Sequence, residues 1–378
     1  MLSSLFYRQF SFFIIKKRSI VFMRLICLII VSFICFVWIF SSFSSSIDGE
    51  KNVSSASRVL EHRSESRDDR FIIVLTVCGD QSLHQGLIAI RSVVMFSQEC
   101  PIHFILMVDD PLKNIVTTEL EKLKSFVHFT YNLLSIQFPN DSWRSLFKQC
   151  SSQRLFLPKI LHDIDAVLYI DSDVLMLSSI SEIWSFFDAM NSTQIAGLAY
   201  ESEDFSSNWY YRFAQHPYYP PYGLNSGVML MNLTKMRQFD WIKRTEEIYR
   251  NFRNKIVWGD QDIINIIFSE NQDRIHLFGC NWNYRPDHCV YGLTCRRAVT
   301  EGIKILHGNR DSFVGSKQPA FKFIFEYFEN FDFKTIERQN SSSNVISIRK
   351  GHLRSIKHSR IDRYEEQTSC HKLFDLIF

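Results

Sequence analysis

The sequence lacks an excess of charge of either sign. Its 378 residues include 43 lysines and arginines against 40 aspartates and glutamates, which leaves a formal net charge of +3. It also lacks a basic stretch with interleaved aromatic side chains, which is typical of proteins that bind nucleic acid. The composition therefore predicts no nucleic-acid partner. No internal repeat is present that would indicate a solenoid or propeller.

A second close pair of cysteine or histidine residues with zinc-finger spacing is also missing. Of the nine cysteines, Cys27 and Cys35 fall in an apolar N-terminal run, which leaves seven outside it. Cys289 and Cys295 bracket the loop CVYGLTC, and their closeness in sequence predicts a disulfide between them. A zinc site is the less favoured alternative, because structural zinc needs a second such pair.

The N-terminus does contain a long apolar run. No charged residue occurs from Leu25 through Ile47, and five basic residues precede this run without an acidic one. About 20 apolar residues suffice to cross a bilayer, whereas a cleavable signal peptide usually has an apolar core of ~7–15 residues. The basic flank predicts a cytosolic tail at 1–24 and a single membrane anchor at 25–43. We therefore expect the remainder to lie in the lumen of the endoplasmic reticulum or Golgi.

Two polar segments flank the part that is predicted to fold. Residues 44–70 and 336–378 contain too few apolar side chains to build a core. We expect a flexible stem, a folded domain at 71–335 and a flexible C-terminal tail. Five N-x-Ser/Thr sequons suit a lumenal location. Asn232 lies in an apolar strand and is expected to be unmodified, which leaves as candidate glycosylation sites Asn52, Asn140, Asn191 and Asn340.

Strands and helices alternate along the folded part. Apolar runs predict buried strands at 71–77, 102–108, 126–131, 166–171, 194–199 and 226–232. Helices are predicted after the first strand to about residue 96 and at 113–124, 154–163, 234–250 and 260–269. This order predicts an α/β domain with a mostly parallel central sheet. Ligands of such sheets bind beyond the carboxyl ends of the strands.

Two carboxylates stand at the end of one of these strands. Asp171 and Asp173 lie in LYIDSDVLML (168–177), and residues i and i+2 of a strand point to the same side. Close carboxylates repel each other, and a divalent cation such as Mg²⁺ or Mn²⁺ relieves that repulsion. A paired acid–base site and a solvated helix cap are the alternatives. His307, which ends another strand beside Gly308, is a candidate third ligand.

An ordered set of motifs resembles glycosyltransferase family 8, whose members are retaining enzymes of the GT-A (Rossmann-like) fold. The resemblance is closest to the glucoside xylosyltransferases that extend O-linked glucose on EGF-like repeats. It covers about residues 71–330 and consists of CSSQRLFLPKIL, LYIDSDVL, NSTQIAG, RFAQHPYY, NSGVMLMN, WGDQDIINI, WNYRPDHCVYG, ILHGNRDSF and KQPAF. Asp-x-Asp alone is weak evidence, whereas the ordered set is specific.

The resemblance implies roles for individual residues. Asp171, Asp173 and His307 would bind Mn²⁺, and Gln261 and Asp260 would act at the reacting sugar. Contacts to the donor, UDP-xylose, are implied for Cys78, Gly79, Arg154, Ser172, Asn225, Ser226, Gly308 and Lys317. Many family members have His-x-x-Gly-x-x-Lys-Pro-Trp, whereas here the lysine follows His307 by ten residues and stands in KQPAF.

Sugar transfer requires loss of the nucleotide diphosphate while positive charge grows on the anomeric carbon. A bound cation would act as a Lewis acid on the departing oxygens, and Arg154 and Lys317 would add fixed positive charge. Retention by two displacements needs a carboxylate nucleophile, but the family position holds Gln261. A front-side attack is therefore favoured, in which the leaving phosphate takes the acceptor proton. The alternatives are UDP-glucose or UDP-galactose as donor, and a non-catalytic nucleotide-sugar-binding protein.

The loop WNYRPDHCVYGLTC (282–295) combines aromatic and polar side chains. Aromatic faces in a wet cleft suit sugars, because C–H patches pack on rings while hydroxyls bind polar groups. Trp282 and Tyr284 are therefore predicted to bind the acceptor. The resemblance implies that this acceptor is glucose O-linked to a serine of an EGF-like repeat. The alternative is that Trp282 belongs to the core.

Overall fold

The computed structural model describes residues 70–146, 150–337, 370 and 373–377. The predicted cytosolic tail and anchor and the stem up to residue 69, together with Asn52 and Asn340, lie outside these residues. Within them, no helix is both long enough and apolar enough to cross a membrane. The first strand begins at Phe71, where the sequence predicts the start of the folded domain.

A seven-stranded sheet in the order β3-β2-β1-β4-β7-β6-β8 forms the centre of the domain. With two strands of a second sheet, the strands are β1 Phe71–Val77, β2 Ile102–Val108, β3 Thr130–Ser135, β4 Ala166–Ile170, β5 Val174–Met176, β6 Ala196–Tyr200, β7 Leu224–Asn232, β8 Ile275–Leu277 and β9 Ile305–His307. β7 runs against its neighbours β4 and β6, and the other pairs in the large sheet are parallel. The predicted α/β fold with a mostly parallel sheet is confirmed.

Helices cover both faces of this sheet. They are α1 Gly79–Phe96, α2 Lys113–Lys124, α3 Gln153–Ile160, α4 Ile180–Trp184, α5 Phe186–Ala189, α6 Trp209–Phe213, α7 Leu233–Gln238, α8 Trp241–Phe252, α9 Asp260–Ser269, α10 Asp287–Val290, α11 Arg296–Glu301, α12 Pro319–Glu329, α13 Lys334–Glu337 and α14 Leu373–Ile377. Successive side chains of a strand point to opposite faces. In β1, Ile73, Leu75 and Val77 join one hydrophobic core, and Ile72 and Val74 join the other. This two-sided burial explains why the strand is almost continuously apolar.

A two-stranded antiparallel sheet lies beside the large one. Val174 of β5 pairs with His307 of β9, and the backbone N–H of Gly308 donates to the carbonyl of Asp173 at 2.7 Å. The segment that follows β4 is thereby held against the end of β9. This pairing brings Asp173 and His307 together although they are distant in sequence.

Two predicted elements differ most from the observed ones. β3 occupies Thr130–Ser135 rather than 126–131, because Val127 and Phe129 are buried in the loop that follows α2. The helix predicted at 234–250 is two helices, α7 and α8. Asp240 separates them with φ 56°, in the left-handed region that ends a right-handed helix.

The described residues contain three disulfides: Cys78–Cys150, Cys280–Cys295 and Cys289–Cys370. The predicted pair Cys289–Cys295 is therefore wrong. Cys289 lies in α10, and its sulfur faces the Pro286 carbonyl, as does the sulfur of Cys370. Closeness in sequence misleads here because each of the two cysteines pairs with one outside the loop, Cys289 with Cys370 and Cys295 with Cys280.

The prediction of a flexible C-terminal tail is wrong for Cys370 and for α14. Leu373, Leu376 and Ile377 are buried in the core that also contains Ile303. The backbone N–H of Ile303 donates to the carbonyl of Leu376 at 2.7 Å. Polar composition between residues 336 and 369 masked this short apolar helix in the sequence.

Candidate active site

Asp171, Asp173 and His307 form one cluster at the carboxyl end of β4. One ligand atom from each lies within 4.8 Å of the others. His307 Nε2 is 3.3 Å from Asp173 Oδ1 and 3.9 Å from Asp171 Oδ2. The structure thus brings together the three residues that the sequence predicts as metal ligands.

Glycine at position 227 allows His307 to occupy this place. A Cβ atom on Gly227 would lie 2.1 Å from Cε1 of His307, which is far closer than carbon atoms can approach. The Gly227 carbonyl also accepts a hydrogen bond from the backbone N–H of Asp171 at 2.9 Å. β7 therefore holds the backbone of Asp171 in place, and the absence of a side chain at Gly227 leaves space for the imidazole of His307.

The hydrogen bonds around His307 define which ring nitrogen faces the carboxylates. Nδ1 lies 2.9 Å from Asn283 Oδ1, and Asn283 donates its amide to Asn225 Oδ1 at 2.8 Å. Since Asn283 presents its oxygen, Nδ1 carries a proton, and Nε2 faces Asp171 and Asp173. An imidazole nitrogen and two carboxylates that converge in this way are ligands that divalent cations such as Mn²⁺ accept. The cluster therefore fits a divalent metal.

Arg154 connects this cluster to α9. Its Nη2 is 2.5 Å from Asp171 Oδ1 and its Nε is 2.7 Å from Asp260 Oδ2. Its guanidinium also donates to the Ser226 carbonyl and packs 4.2 Å from the ring centroid of Tyr169. Burial alone would lower the pKa of Arg154, but Asp171 and Asp260 outweigh burial and the pKa is raised. Arg154 is therefore a permanent cation that orients both carboxylates.

Gln261 is held by hydrogen bonds to both ends of its amide. Its Oε1 accepts from Asn225 Nδ2 at 3.1 Å and from the backbone N–H of Ser226 at 3.2 Å. Its Nε2 donates to the hydroxyl of Tyr210 at 3.2 Å. The amide orientation is consequently determined, and the side chain lies at the cleft surface.

Glu201 is a buried carboxylate that sequence reasoning missed. Its Oε2 accepts from Arg285 Nη1 at 2.5 Å and from Asn225 Nδ2 at 2.8 Å. It follows β6 directly, so the rule that ligands bind at the carboxyl ends of strands could have found it. Its ion pair with Arg285 fixes the floor of the cleft beside Asn225.

A cleft of about 260 Å³ opens beside these residues. Its lining comprises Ser151, Arg154, Asp171, Glu201, Trp209, Tyr210, Asn225, Ser226, Trp258, Asp260, Gln261, His307, Asn309, Arg310 and Asp311. A pocket of this kind, with convergent polar groups and a metal-binding cluster, is suited to a nucleotide sugar.

A family model for glycosyl transferase family 8 matches residues 74–309. The chain belongs to glycosyl transferase family 8. It is 42% identical to glucoside xylosyltransferase 1 of Mus musculus over 277 residues, which cover 70% of this chain and 68% of that protein. It is 41% identical to glucoside xylosyltransferase 2 of Xenopus laevis over 277 residues, with coverage of 69% and 65%. This family 8 glycosyltransferase thus spans about two thirds of the length of these relatives, and its predicted resemblance to them is confirmed.

Solved structures agree on the fold. The galactosyltransferase LgtC, in complex with donor and acceptor sugar analogs, matches with a TM-score of 0.53 and 18% identity over 68% of this chain and 94% of that one. The glycosyltransferase GlyE of Streptococcus pneumoniae matches with a TM-score of 0.50 and 15% identity, over 74% and 64%. At this identity the likeness shows the fold alone, and it confirms the predicted GT-A architecture.

The predicted acceptor contacts of this family 8 enzyme, Trp282 and Tyr284, are instead part of the core. Trp282 is 6% exposed and packs edge-on against Phe186 at 5.4 Å, and Tyr284 is fully buried. The Tyr284 carbonyl accepts from the backbone N–H of His307 at 2.8 Å. The prediction fails because this segment packs alongside β9 and supports His307 from behind. Among the described aromatic residues, Trp209, Tyr210 and Trp258 line the cleft in their place.

Five predicted donor contacts lie outside the cleft lining. Ser172 accepts a hydrogen bond from Ser82, Gly308 binds the Asp173 carbonyl, and Gly79 begins α1 with φ 77°. Cys78 is bonded to Cys150, which directly precedes Ser151 of the lining.

Lys317 is exposed and is also absent from the lining. The cation at this side of the cleft is Arg310, which binds Asp287 at 2.9 Å. Sequence reasoning missed Arg310, although it stands three residues after His307 in the quoted motif.

Proposed function

We propose that this protein is a UDP-xylose-dependent, retaining α-1,3-xylosyltransferase that adds xylose to O-linked glucose on EGF-like repeats. The observation that carries the proposal is the joint presence of the Asp171–Asp173–His307 cluster and about 40% identity to glucoside xylosyltransferases. The cluster supports catalysis rather than binding alone, because all three candidate metal ligands are present and lie together. The preference for xylose rests on the relatives.

We further propose Mn²⁺ as the cation held by Asp171, Asp173 and His307. When bound, it would supply Lewis acidity to the diphosphate oxygens of the donor. Three protein ligands leave coordination positions for such oxygens, which is typical of Mn²⁺ and Mg²⁺ sites in nucleotide-dependent enzymes.

The side chains at the cleft support a front-side attack. Asp260 is engaged at both oxygens, by Arg154 at 2.7 Å and by Ser151 at 2.5 Å. Glu201 is paired with Arg285. These carboxylates are oriented by cations and do not resemble a free nucleophile. Gln261 is neutral, and its fixed amide suits a positioning contact with the donor sugar or the acceptor hydroxyl.

We propose that the enzyme is a single-pass protein with a cytosolic N-terminus and a lumenal catalytic domain. Three disulfides in the described residues favour an oxidising compartment. Asn140 and Asn191 are exposed and accessible to glycosylation, whereas Asn232 caps α7 by accepting from the Lys235 N–H. The apolar run at 25–43 supplies the anchor.

A panel of donors and acceptors tests the proposal. The purified protein is supplied with UDP-xylose, UDP-glucose or UDP-galactose and with a folded EGF-like repeat, either glucosylated or unglucosylated. We expect xylose transfer to the glucosylated repeat only. Transfer of another sugar contradicts the donor, and equal transfer to both repeats contradicts the acceptor. A folded protein that binds UDP and transfers nothing contradicts the enzyme assignment.

A further inference from the structure

Three exposed aromatic side chains lie outside the cleft but close to its mouth. Phe205, Tyr211 and Phe213, which we call the aromatic rim, are 46%, 59% and 54% exposed. Of the other aromatic side chains between residues 70 and 335 whose burial the structure describes, only Tyr291 is exposed to this degree. Soluble proteins rarely expose large apolar side chains together unless the surface binds a partner.

The aromatic rim is continuous with the cleft. Trp209 of α6 lines the cleft, and its ring centroid lies 5.6 Å from that of Trp258 and 6.5 Å from that of Phe213. Two residues along the same helix, Tyr211 packs 4.8 Å from Phe205. An apolar surface therefore extends from within the cleft to its outside.

The support beneath α6 is rigid. Asn208 is fully buried, and its Oδ1 accepts from the Tyr211 N–H at 2.9 Å. Its amide donates to the carbonyls of Ser202 and Tyr222 at 2.9 and 2.7 Å. The hydroxyl of Tyr210, in the middle of the helix, donates to Asp262 at 2.8 Å. A preorganised aromatic surface loses little conformational entropy when it binds.

We propose that the aromatic rim contacts the folded polypeptide that carries the acceptor sugar. A permanently bound second copy would obstruct the mouth of the cleft, whereas the acceptor must approach there and leave again. Exposed Arg212 lies 4.7 Å from the Phe213 ring and adds positive charge. The matching surface is therefore apolar with an acidic side chain beside it. This inference rests on the proposed function and deepens it.

Direct binding isolates the polypeptide contact from the sugar contact. The unglucosylated folded EGF-like repeat is immobilised, and binding of the wild-type enzyme is compared with Tyr211→Ala and Phe213→Ala. We expect each substitution to weaken this binding roughly tenfold, as for aromatic anchors in protein interfaces. The KM for the glucosylated repeat should rise by a similar factor with kcat little changed. Affinity for UDP should stay at the wild-type value.

Tyr291→Ala is the matched control, because Tyr291 is 62% exposed and lies outside the cleft lining. It should bind the repeat as the wild type does. The proposal is overturned if the wild type does not bind the unglucosylated repeat, or if the rim variants bind it normally. It is also overturned if light scattering shows that the wild type is a dimer and that the rim variants are monomers. If the rim variants lose binding while even the wild type transfers no sugar, the proposed function is contradicted, but the role of the aromatic rim in binding the repeat stands.

Discussion

Asn283 holds His307 through a hydrogen bond of 2.9 Å between Asn283 Oδ1 and the ring nitrogen Nδ1. The amide nitrogen of Asn283 donates to Asn225 Oδ1, so its oxygen must face the histidine. The pair directs the other ring nitrogen, Nε2, towards Asp171 and Asp173, and it joins this cluster to Asn225 at the floor of the cleft.

We expect Asn283→Leu to weaken Mn²⁺ binding roughly 10–100-fold, because the imidazole loses the partner that orients it. Asn283→Asp retains an acceptor and should keep most of the affinity. Electron paramagnetic resonance of Mn²⁺ titrated into the protein measures both. Equal affinities for Asn283→Leu and the wild type, with melting temperatures also equal, would contradict the role of Asn283.

The metal itself is tested with Asp173→Asn, which preserves shape and removes one anionic ligand. Xylose transfer should fall at least ~100-fold, because the diphosphate loses its Lewis acid, while the melting temperature stays near that of the wild type. EDTA should abolish wild-type activity and added Mn²⁺ should restore it. Transfer that persists in excess chelator contradicts a metal-dependent reaction.

His216 should stabilise the protein more strongly at acidic pH. Burial alone would lower the pKa of its imidazole, but the Asp262 carboxylate, 3.3 Å from Nε2, and the Pro217 carbonyl, which accepts from Nδ1, outweigh burial, and the pKa is raised. A raised folded-state pKa contributes stability below the unfolded value of ~6.5, and this contribution disappears as pH rises through the folded value.

Melting temperatures of the wild type and His216→Gln between pH 5.5 and 8.5 measure this effect. The difference should be largest at the acidic end and should shrink towards the alkaline end. His128→Gln, at an exposed histidine, is the control and should show a constant, small difference. If the difference in melting temperature between the wild type and His216→Gln grows as pH rises, the predicted direction is wrong.

Membrane topology follows from the proposed anchor at 25–43. In intact microsomes the catalytic domain should resist added protease, and detergent should make it sensitive. Removal of N-glycans should also increase its gel mobility if Asn140 or Asn191 is modified. Digestion without detergent would place the domain on the cytosolic side.

The Cys289–Cys370 disulfide should contribute substantially to stability. Its residues are 81 apart, and the loop-entropy relation gives about 4.5 kcal/mol at 25 °C for a loop of that length. The double variant Cys289→Ser, Cys370→Ser should lose that amount of unfolding free energy in urea. An unchanged midpoint would show that α14 holds its place by packing alone.

The spacing of apolar residues along the sequence correctly predicted those strands and helices that coincide with a single apolar or amphipathic run. β1, β2, α2 and α9 have the predicted bounds, because their periodicity and their burial coincide. The Asp171–Asp173 pair was visible for a related reason, since charge inside a buried strand needs a partner. The break between α7 and α8 at Asp240 could not be predicted from the sequence, because the pattern of apolar residues continues through it. The left-handed conformation of Asp240 depends on how α7 and α8 pack.

Other features depend on tertiary contacts that no local pattern contains. Trp282 and Tyr284 have the composition of a sugar-binding loop, yet packing beside β9 buries them. Arg285 and Glu201 are 84 residues apart and become partners only in the folded sheet. The partner of Cys289 likewise lies 81 residues away, at Cys370, and not within the same loop.

The Cys289–Cys370 bond imposes an order on the synthesis of the chain. Cys280, Cys289 and Cys295 leave the ribosome before Cys370 does, and a bond between Cys289 and Cys295 would close a shorter loop at a smaller loss of entropy. Such a premature pair must be exchanged through a mixed disulfide before Cys289 can reach its partner. The yield of active enzyme should consequently depend on a disulfide isomerase, even where oxidant is plentiful.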